Sequence, residues 1–261
     1  MNRTLRIAIP VALGIAFLLM WEALVAAFAV PRIVLPAPSD IGEAFVSDFG
    51  TLMAATFVTL RITLIAFVLA VLGGVALAIL FAQSRLIETA LYPYAVVLQV
   101  TPVVAIAPLL TIWIGYDNIE AVTLTLAWIV AFFPVLANTT LGLKSVDRNL
   151  IDLFRLYGAS RWQILTRLQL PNALPFLLGG MKVSGGLALI GAVVAELAAG
   201  SGTSTGLAWI LTLATRNLHM GTAFAALALL SALGIAIFFA LSALEYWLLH
   251  RWHESALKVQ T

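Results

Sequence analysis

Long apolar runs, separated by short polar stretches, set the pattern of this chain. A run of roughly 20 apolar residues crosses the hydrocarbon core of a bilayer as a helix, and six stretches reach or approach that length. They lie at about 7–30, 57–81, 93–115, 121–141, 176–199 and 223–249. The pattern predicts an all-α, polytopic membrane protein in which residues 1–261 form one transmembrane domain with six transmembrane helices.

The first run has some features of a secretory signal peptide. Arg3 and Arg6 precede it, and Ala27-Phe28-Ala29 resembles a cleavage site. However, the run is longer than the apolar core of a signal peptide, and it is long enough to span a bilayer. We therefore expect a retained transmembrane helix.

Proline and glycine distinguish the third and fifth runs. Pro102 and Pro108 each remove a backbone donor from the third run, so its helix should bend or break where protein or water satisfies the freed carbonyls. The fifth run contains glycines that let helices approach closely, namely Gly179, Gly180, Gly185, Gly186 and Gly191. Between the runs we expect a short surface helix over 39–45, a loop over 82–91 and a short helix over 207–218.

The stretch 143–175, here named the basic loop, is the largest polar interruption. Leu150, Leu153, Phe154 and Tyr157 recur in it at helical spacing, and Gly158 stands where a C-terminal glycine ends a helix. A second helical pattern follows over 162–168. Prolines at 171 and 175 are expected to end it, because proline does not continue a helix interior.

Positive charge is distributed unevenly between the two sides of the membrane. Placing the spans alternately from a cytoplasmic N-terminus puts ten Lys and Arg residues inside and two outside. The ten are Arg3, Arg6, Arg85, Lys144, Arg148, Arg155, Arg161, Arg167, Arg251 and Lys258, and the two are Arg32 and Arg216. Cytoplasmic loops are enriched in Lys and Arg, so the basic loop and both termini are predicted to be cytoplasmic. Arg61 and Lys182 lie near span ends, where long side chains can reach the headgroups.

Composition narrows the classes of function. The chain is 62% hydrophobic and 10% charged, whereas soluble domains are about half apolar and a quarter charged. It has no cysteine, which excludes disulfides and thiolate chemistry. No G-x-x-x-x-G-K-[ST] phosphate loop occurs, so ATP hydrolysis would require another polypeptide. His250 and His253 of the tail are interpreted as polar surface rather than as a metal site.

The spacing of Asp152-Leu153-Phe154, Gly158, Leu168 and Leu170-Pro171 resembles the coupling loop of permease subunits of ABC importers. That family's pattern is Glu-Ala-Ala, three residues, Gly, nine residues, Ile, one residue and Leu-Pro. The acidic position, the glycine and the Leu-Pro pair are kept here, while two large apolar residues replace the two alanines. The stretches 35–40, 101–115, 131–147 and 192–207 are similar to the sulfonate, taurine and nitrate branch of these permeases.

The resemblance implies a type I importer permease fold in the inner membrane of a bacterium, in contact with lipid. The implied partners are a second permease copy, two ABC ATPase subunits and a periplasmic or lipid-anchored substrate-binding protein. ATP and Mg would bind the partner ATPase, and this chain would bind no cofactor, metal or nucleic acid and would not be an enzyme. The resemblance assigns ATPase coupling to Asp152, Leu153, Phe154, Arg155, Tyr157, Gly158, Ala159, Ser160, Leu170 and Pro171.

Polar residues within the spans are candidates for the substrate pathway. They are Gln99, Thr101, Asn138 and Glu196. Such side chains often only bond neighbouring helices. Glu196 lies near the outer end of the fifth span, where it could be a gate residue or, slightly favoured, a partner of Arg61 or of a backbone amide.

The branch resemblance favours a small organic or inorganic anion as substrate, such as a sulfonate, taurine or nitrate. A heterocyclic vitamin or a pyrimidine precursor is the alternative within related permeases. An ion-coupled secondary transporter is more remote, because it would require several buried acids or an internal repeat. An intramembrane enzyme is also remote, since the Gly-x-Ser-x-Gly match over 202–206 lies in a loop with no strand before it.

Overall fold

The computed structural model of the protein describes residues 3–199 and 206–250, and every regular element in these ranges is a helix. The α-helices are α1 (Arg3–Ala27), α2 (Pro38–Ser47), α3 (Phe49–Gln83), α4 (Arg85–Val100), α5 (Val103–Ile114), α6 (Ile119–Lys144), α7 (Arg148–Leu156), α8 (Arg161–Ile164), α9 (Leu170–Ala199), α10 (Leu207–Arg216) and α11 (Met220–Leu249). A 3-10 turn, Tyr116–Asn118, precedes α6, and a π-helix, Leu165–Gln169, joins α8 to α9. The predicted all-α class is confirmed. Most of the predicted 200–206 loop and of the tail, including His253, Arg251 and Lys258, lies outside the described residues.

The described helices provide the six predicted spans when one bent pair is counted as a single span. Five stretches are long and apolar enough to cross a bilayer, namely Ala8–Ala27, Phe49–Gln83, Tyr116–Lys144, Arg161–Ala198 and Met220–Leu249. The sixth is α4 followed by α5, which are bent by 103° relative to each other. The chain is therefore a multi-pass membrane protein.

The bend of the third span occurs at Thr101 and Pro102. Pro102 is the N-cap residue of α5, and its carbonyl accepts hydrogen bonds from the backbone N–H of Ala105 at 3.0 Å and of Ile106 at 3.4 Å. Pro108 lies inside α5 and does not break it. The predicted break is therefore confirmed at Pro102. The backbone hydrogen bonds of α4 end before this residue, and those of α5 begin with its carbonyl.

The loop predicted over 82–91 is wrong. The helix α3 continues to Gln83, and α4 begins at Arg85, so Ser84 alone separates them. The Ser84 hydroxyl oxygen accepts from the backbone N–H of Ile87 at 3.4 Å and caps the new helix. Ser84 is extended, with φ at −142° and ψ at 110°, so it ends α3 and satisfies a donor at the start of α4.

By packing, the chain divides into two compact units, residues 1–58 with 205–231 and residues 59–204 with 232–261. In the first unit, Glu22 of α1 accepts hydrogen bonds from the hydroxyl and the backbone N–H of Ser39, at 2.7 and 3.1 Å. Asp48 accepts from the Thr222 hydroxyl at 2.7 Å. These bonds tie α2 to α1 and to the start of α11.

The second unit is built around close packing of α6 and α9. A Cβ added to Gly180 would lie 2.9 Å from the Cβ of Asn138, and one added to Gly191 would lie 2.9 Å from the Cα of Ala127. Gly185 similarly approaches Leu241 of α11. The predicted close approach is confirmed at these three glycines. It is wrong at Gly179 and Gly186, where an added Cβ would meet no atom within 4 Å because both face away from neighbouring helices.

Candidate functional site

The first helix of the basic loop, α7, is capped by its own neighbours at both ends. The Asp147 side chain accepts from the backbone N–H of Asn149 at 2.9 Å at the start. At the end, the N–H of Ala159 donates to the Phe154 carbonyl at 3.0 Å and the N–H of Gly158 to the Arg155 carbonyl at 2.9 Å. This pair of bonds is the Schellman pattern, which closes a helix through a left-handed residue.

Gly158 is that left-handed residue, with φ at +74°. An added Cβ would meet no atom within 4 Å, so only the backbone conformation restricts this position. The left-handed region costs an ordinary L-residue about 1–2 kcal/mol. The predicted role of Gly158 as the residue that ends the helix is confirmed.

The second helix of the loop starts with a capping box. The Ser160 hydroxyl oxygen accepts from the backbone N–H of Gln163 at 3.2 Å, and the Gln163 side-chain oxygen accepts from the backbone N–H of Ser160 at 2.7 Å. Such reciprocal bonds satisfy donors that the first helical turn leaves free. Ala159 therefore lies between the Schellman turn that ends α7 and the capping box that begins α8.

The second helix does not end at the prolines, and that part of the prediction is wrong. The α-helix of α8 widens into the π-helix Leu165–Gln169 and continues as α9 through Pro171 and Pro175. A π turn breaks the regular i to i−4 hydrogen-bond ladder, and this one lies directly before Pro171, which has no N–H to donate. The fifth span therefore begins inside the basic loop rather than at Phe176.

Large apolar side chains of the basic loop are exposed. Leu156 and Tyr157 are each 85% exposed and Trp162 is 68% exposed, while Leu153 is 45% exposed. A cleft of about 480 Å³ lies beside them, lined by Leu153, Phe154, Tyr157, Gly158, Ala159, Gln163 and Arg167. Asp152 and Arg155 form an exposed ion pair with an N–O distance of 3.3 Å. Exposed aromatic and aliphatic groups around a cleft suit contact with another protein.

The base of the loop is held by two residues that the sequence reasoning missed. The Gln169 amide nitrogen donates to the Leu143 carbonyl at 3.3 Å, and the Asn172 amide nitrogen donates to the Gly142 carbonyl at 3.1 Å. Both bonds join the junction of the π-helix and α9 to the end of α6. The signal was present in the spacing, because residues 169, 172, 173 and 176 fall on one helical face.

Two of the pathway candidates lie at the bend of the third span. Gln99 is exposed near the end of α4. Thr101 is half-buried and its hydroxyl donates to the Val97 carbonyl at 2.6 Å. Non-helical backbone at membrane depth is tolerated where it is covered by protein or lines a cavity with water.

The other two candidates lie among packed helices. Asn138 donates from its amide nitrogen to the Pro134 carbonyl at 2.8 Å, and its Cβ faces Gly180. Glu196 is completely buried, and its carboxylate accepts from the hydroxyl of Thr59 in α3 at 2.8 Å.

Both basic residues placed near span ends are paired with carboxylates. Arg61 contacts Glu120 with an N–O distance of 2.6 Å, so the suggested ion pair between Arg61 and Glu196 is wrong. Lys182 pairs with Glu245 of α11. A carboxylate within reach is favoured because an unpaired charge in a span is costly. Among the described residues, no three His, Asp or Glu side chains come together as metal ligands.

Residues 70–248 match the model of a family described as "Binding-protein-dependent transport system inner membrane component". This range contains α4 to α10, most of α11, the whole basic loop and all four pathway candidates.

Several curated proteins are similar over most of their length. The riboflavin transport system permease protein of Chloroflexus aurantiacus is 34% identical over 95% of this chain and 91% of its own. The formylaminopyrimidine transport permease protein of Halalkalibacterium halodurans is 33% identical over 95% of this chain and 98% of its own. A permease protein of Bacillus subtilis named for aliphatic sulfonates transport is 30% identical over 82% of this chain and 77% of its own.

The fold is also similar to that of a solved transporter. A crystal structure described as an amino acid ABC transporter with histidines contains a chain that superimposes with a TM-score of 0.65. The match covers 80% of this chain and 97% of the other at 16% identity. It confirms the predicted ABC importer permease fold.

Proposed function

The chain belongs to the family of binding-protein-dependent transport system inner membrane components, the permeases of ABC importers, and on that premise we propose that its basic loop is the docking surface for a separate ATPase. The observation that carries the proposal is the exposure of Leu156, Tyr157 and Trp162, together with the cleft that Tyr157 lines. The helix α7 has only nine residues, too few to cross a bilayer.

The docking surface combines a rigid frame with free side chains. The caps at Asp147, Gly158 and Ser160 use local hydrogen bonds to hold the backbone. The apolar side chains between them contribute little to the chain's own core, so a partner can bury them. A few buried aromatic and aliphatic anchors usually supply most of the affinity of such an interface.

Tyr157 offers a direct test, because the chain contains a matched tyrosine elsewhere. Tyr116, in the turn before α6, is also exposed. The permease is co-expressed with ABC ATPases from the same genome, and the ATPase that co-purifies is quantified. Tyr157→Ser should lower the recovered ATPase by about tenfold, the usual loss of an aromatic anchor, and Tyr116→Ser should not. Equal recovery with both variants would remove the basic loop as the docking surface.

The orientation of the membrane domain follows from the same proposal. The basic loop and both termini are cytoplasmic, in agreement with the distribution of Lys and Arg. Because the chain has no cysteine, single cysteines can report sidedness. Asn149→Cys in α7 and Asp117→Cys before α6, both exposed, should react with an impermeant maleimide from opposite sides of intact vesicles. Reaction from the same side would contradict this topology.

We propose further that two copies enclose the pathway and that Gln99 and Thr101 line it. The bend at Thr101 leaves irregular backbone in a span, and Gln99 beside it is exposed in the single chain. A second copy or a water-filled cavity must cover these groups, since lipid satisfies neither. Light scattering of the detergent-solubilised transporter should give two permeases and two ATPases. A single permease per complex would contradict the proposal.

For the substrate, two chemical classes remain, and we favour the heterocyclic one. The relatives named for riboflavin and formylaminopyrimidine transport match 95% of this chain, and the relative named for sulfonates matches 82%. Arg61 and Lys182, two basic residues in the interior of described spans, are both paired with carboxylates, which disfavours a fixed anion site at either of them.

The partner binding protein decides between the two classes. Calorimetry of that protein with riboflavin, formylaminopyrimidine and taurine as probes should show binding of a heterocycle. Binding of taurine alone would instead establish the anion predicted from the branch resemblance.

A further inference from the structure

The two ends of the basic loop are joined by a small hydrogen-bonded bracket. It consists of Gln169 at the end of the π-helix, Asn172 at the start of α9, and Ser145 with the carbonyls of Gly142 and Leu143 at the end of α6. Besides its bond to Gly142, the Asn172 amide donates to the Ser145 hydroxyl oxygen at 2.8 Å. That hydroxyl in turn donates to the Gly142 carbonyl at 2.9 Å.

The bracket satisfies groups that a helix end leaves free. The last four carbonyls of an α-helix have no partner within the helix, and those of Gly142 and Leu143 belong to this set in α6. They are satisfied by side chains some 30 positions further along the chain, whereas the ends of α7 and α8 are capped by residues close in sequence. The end of α6 is therefore fastened to Gln169 and Asn172, at the far end of the basic loop, as well as to the neighbouring Ser145.

Packing below the bracket reinforces it. A Cβ added to Gly142 would lie 2.8 Å from the Cα of Ala173 and from the Cβ of Phe176. Gln169, Asn172, Ala173 and Phe176 thus contact α6 from one face of α9. The two ends of the basic loop contact each other, so a displacement of α7 is expected to move α6 and α9 together.

The same place connects to the bend in the third span. Lys144, the last residue of α6, forms an ion pair with Glu88 in the first turn of α4. Gln99 lies eleven residues further along α4, about 16 Å away at the helical rise. A continuous set of bonded groups therefore runs from the basic loop to the proposed pathway.

We propose that Asn172 and Gln169 are positioning residues that transmit the movement of the docked ATPase from the basic loop into α6 and α4. The proposal rests on the docking function proposed above. Transmission differs from a packing role, because the hydrogen bonds from Gln169 and Asn172 to the end of α6 must persist through every ATPase cycle. Without the bracket, the ATPase should still bind the permease, but the binding protein should no longer stimulate ATP hydrolysis.

The test uses the complete transporter in lipid vesicles with its ATPase and its binding protein, purified with the ligand it carries. The readout is the ratio of ATP hydrolysis with the binding protein to hydrolysis without it. Asn172→Leu keeps the side-chain size and removes both donated bonds, so the ratio should fall by about fivefold, as expected for the loss of roughly one net hydrogen bond. Gln169→Met should cause a smaller fall.

Two controls accompany these variants. Asn118→Leu makes the same substitution at the other end of α6, where the asparagine side chain makes no capping bond, and it should keep the wild-type ratio. Asn172→Gln retains the amide donor and should recover most of the ratio. A purely structural role would instead lower the melting temperature of the complex in parallel with the ratio.

Each outcome decides one point. A wild-type ratio in Asn172→Leu and Gln169→Met, with the ATPase bound, overturns the proposal. If Asn172→Leu does not assemble, Gln169→Met decides by the same criterion. If the ATPase does not associate even with the wild-type permease, the docking function fails and not the bracket alone.

Discussion

The tip of the basic loop, residues 147–163, and the α6–α9 core satisfy their polar groups in opposite ways. In the loop, Asp147, Ser160 and Gln163 bond to backbone groups within three residues of themselves. In the core, Glu196 reaches Thr59 across 137 positions, and the Ser184 hydroxyl donates to the Ala131 carbonyl at 2.7 Å across 53. The tip is shaped by local bonds, and its side chains Leu156, Tyr157 and Trp162 are exposed, whereas the core is shaped by distant contacts.

This difference separates two kinds of sensitivity. A change in the loop should alter what binds to the protein and leave the membrane domain folded, because local caps open without disturbing the rest of the chain. A change in the core should lower the stability of the membrane domain. Four substitutions test this contrast, in order of decreasing effect.

The largest effect is expected at Gly180. Gly180→Val would place side-chain carbons against Asn138 and the Pro134 carbonyl oxygen, and overpacking of this kind costs about 3 kcal/mol. Gly179→Val is the matched control, since an added Cβ there meets no atom within 4 Å. Thermal unfolding in detergent should show a large loss for the first variant only. Equal losses would mean that helix propensity, and not the close approach of α6 and α9, limits these positions.

Glu196 should come next. Glu196→Ala removes the carboxylate that accepts from the buried Thr59 hydroxyl, and the loss of a hydrogen bond to a charged group costs about 2 kcal/mol. Glu196→Gln keeps an oxygen for Thr59 and loses only the charge, so its loss of stability should be smaller. Detergent melting temperatures and uptake into vesicles measure both effects. If both variants melt and transport like the wild type, Glu196 has neither a structural nor a pathway role.

Gly158 should affect binding more than folding. Gly158→Val forces a β-branched residue to φ +74°, at a cost of about 2 kcal/mol within the loop. The melting temperature of the permease should change little, while ATPase recovery falls. Gly158→Asn is the control, because asparagine tolerates the left-handed region. Loss of the ATPase to the same degree with Asn would show that the glycine backbone is not what matters.

The smallest effect is expected at Ser160. Ser160→Ala removes the cap of α8 and should cost about 1 kcal/mol locally, while Ser160→Thr retains the hydroxyl. Hydrogen exchange at residues 161–164 should quicken in the alanine variant alone. Faster exchange throughout α9 would instead show that α8 and the fifth span unfold together.

Features controlled by short-range chemistry could be predicted from the sequence. The apolar runs indicated the spans, because their length must match the bilayer. Gly158 and the pattern before it indicated the end of α7, since a Schellman turn depends only on nearby residues. The prolines of the third run predicted a bend or break there, because each lacks a backbone donor, but they did not indicate that the break falls at Pro102 while α5 continues through Pro108.

Only the tertiary structure decided how distant groups are paired. Charge and position alone suggested Arg61 for Glu196, but the folded chain pairs Arg61 with Glu120 and Glu196 with Thr59. The prolines at 171 and 175 suggested a helix end, yet the π-helix before them allows the helix to continue. The bracket of Gln169 and Asn172 depends on where α9 crosses the end of α6. Helix crossings arise from side-chain packing over the whole chain. The pattern of apolar and polar residues along the sequence therefore does not determine which distant residues come into contact.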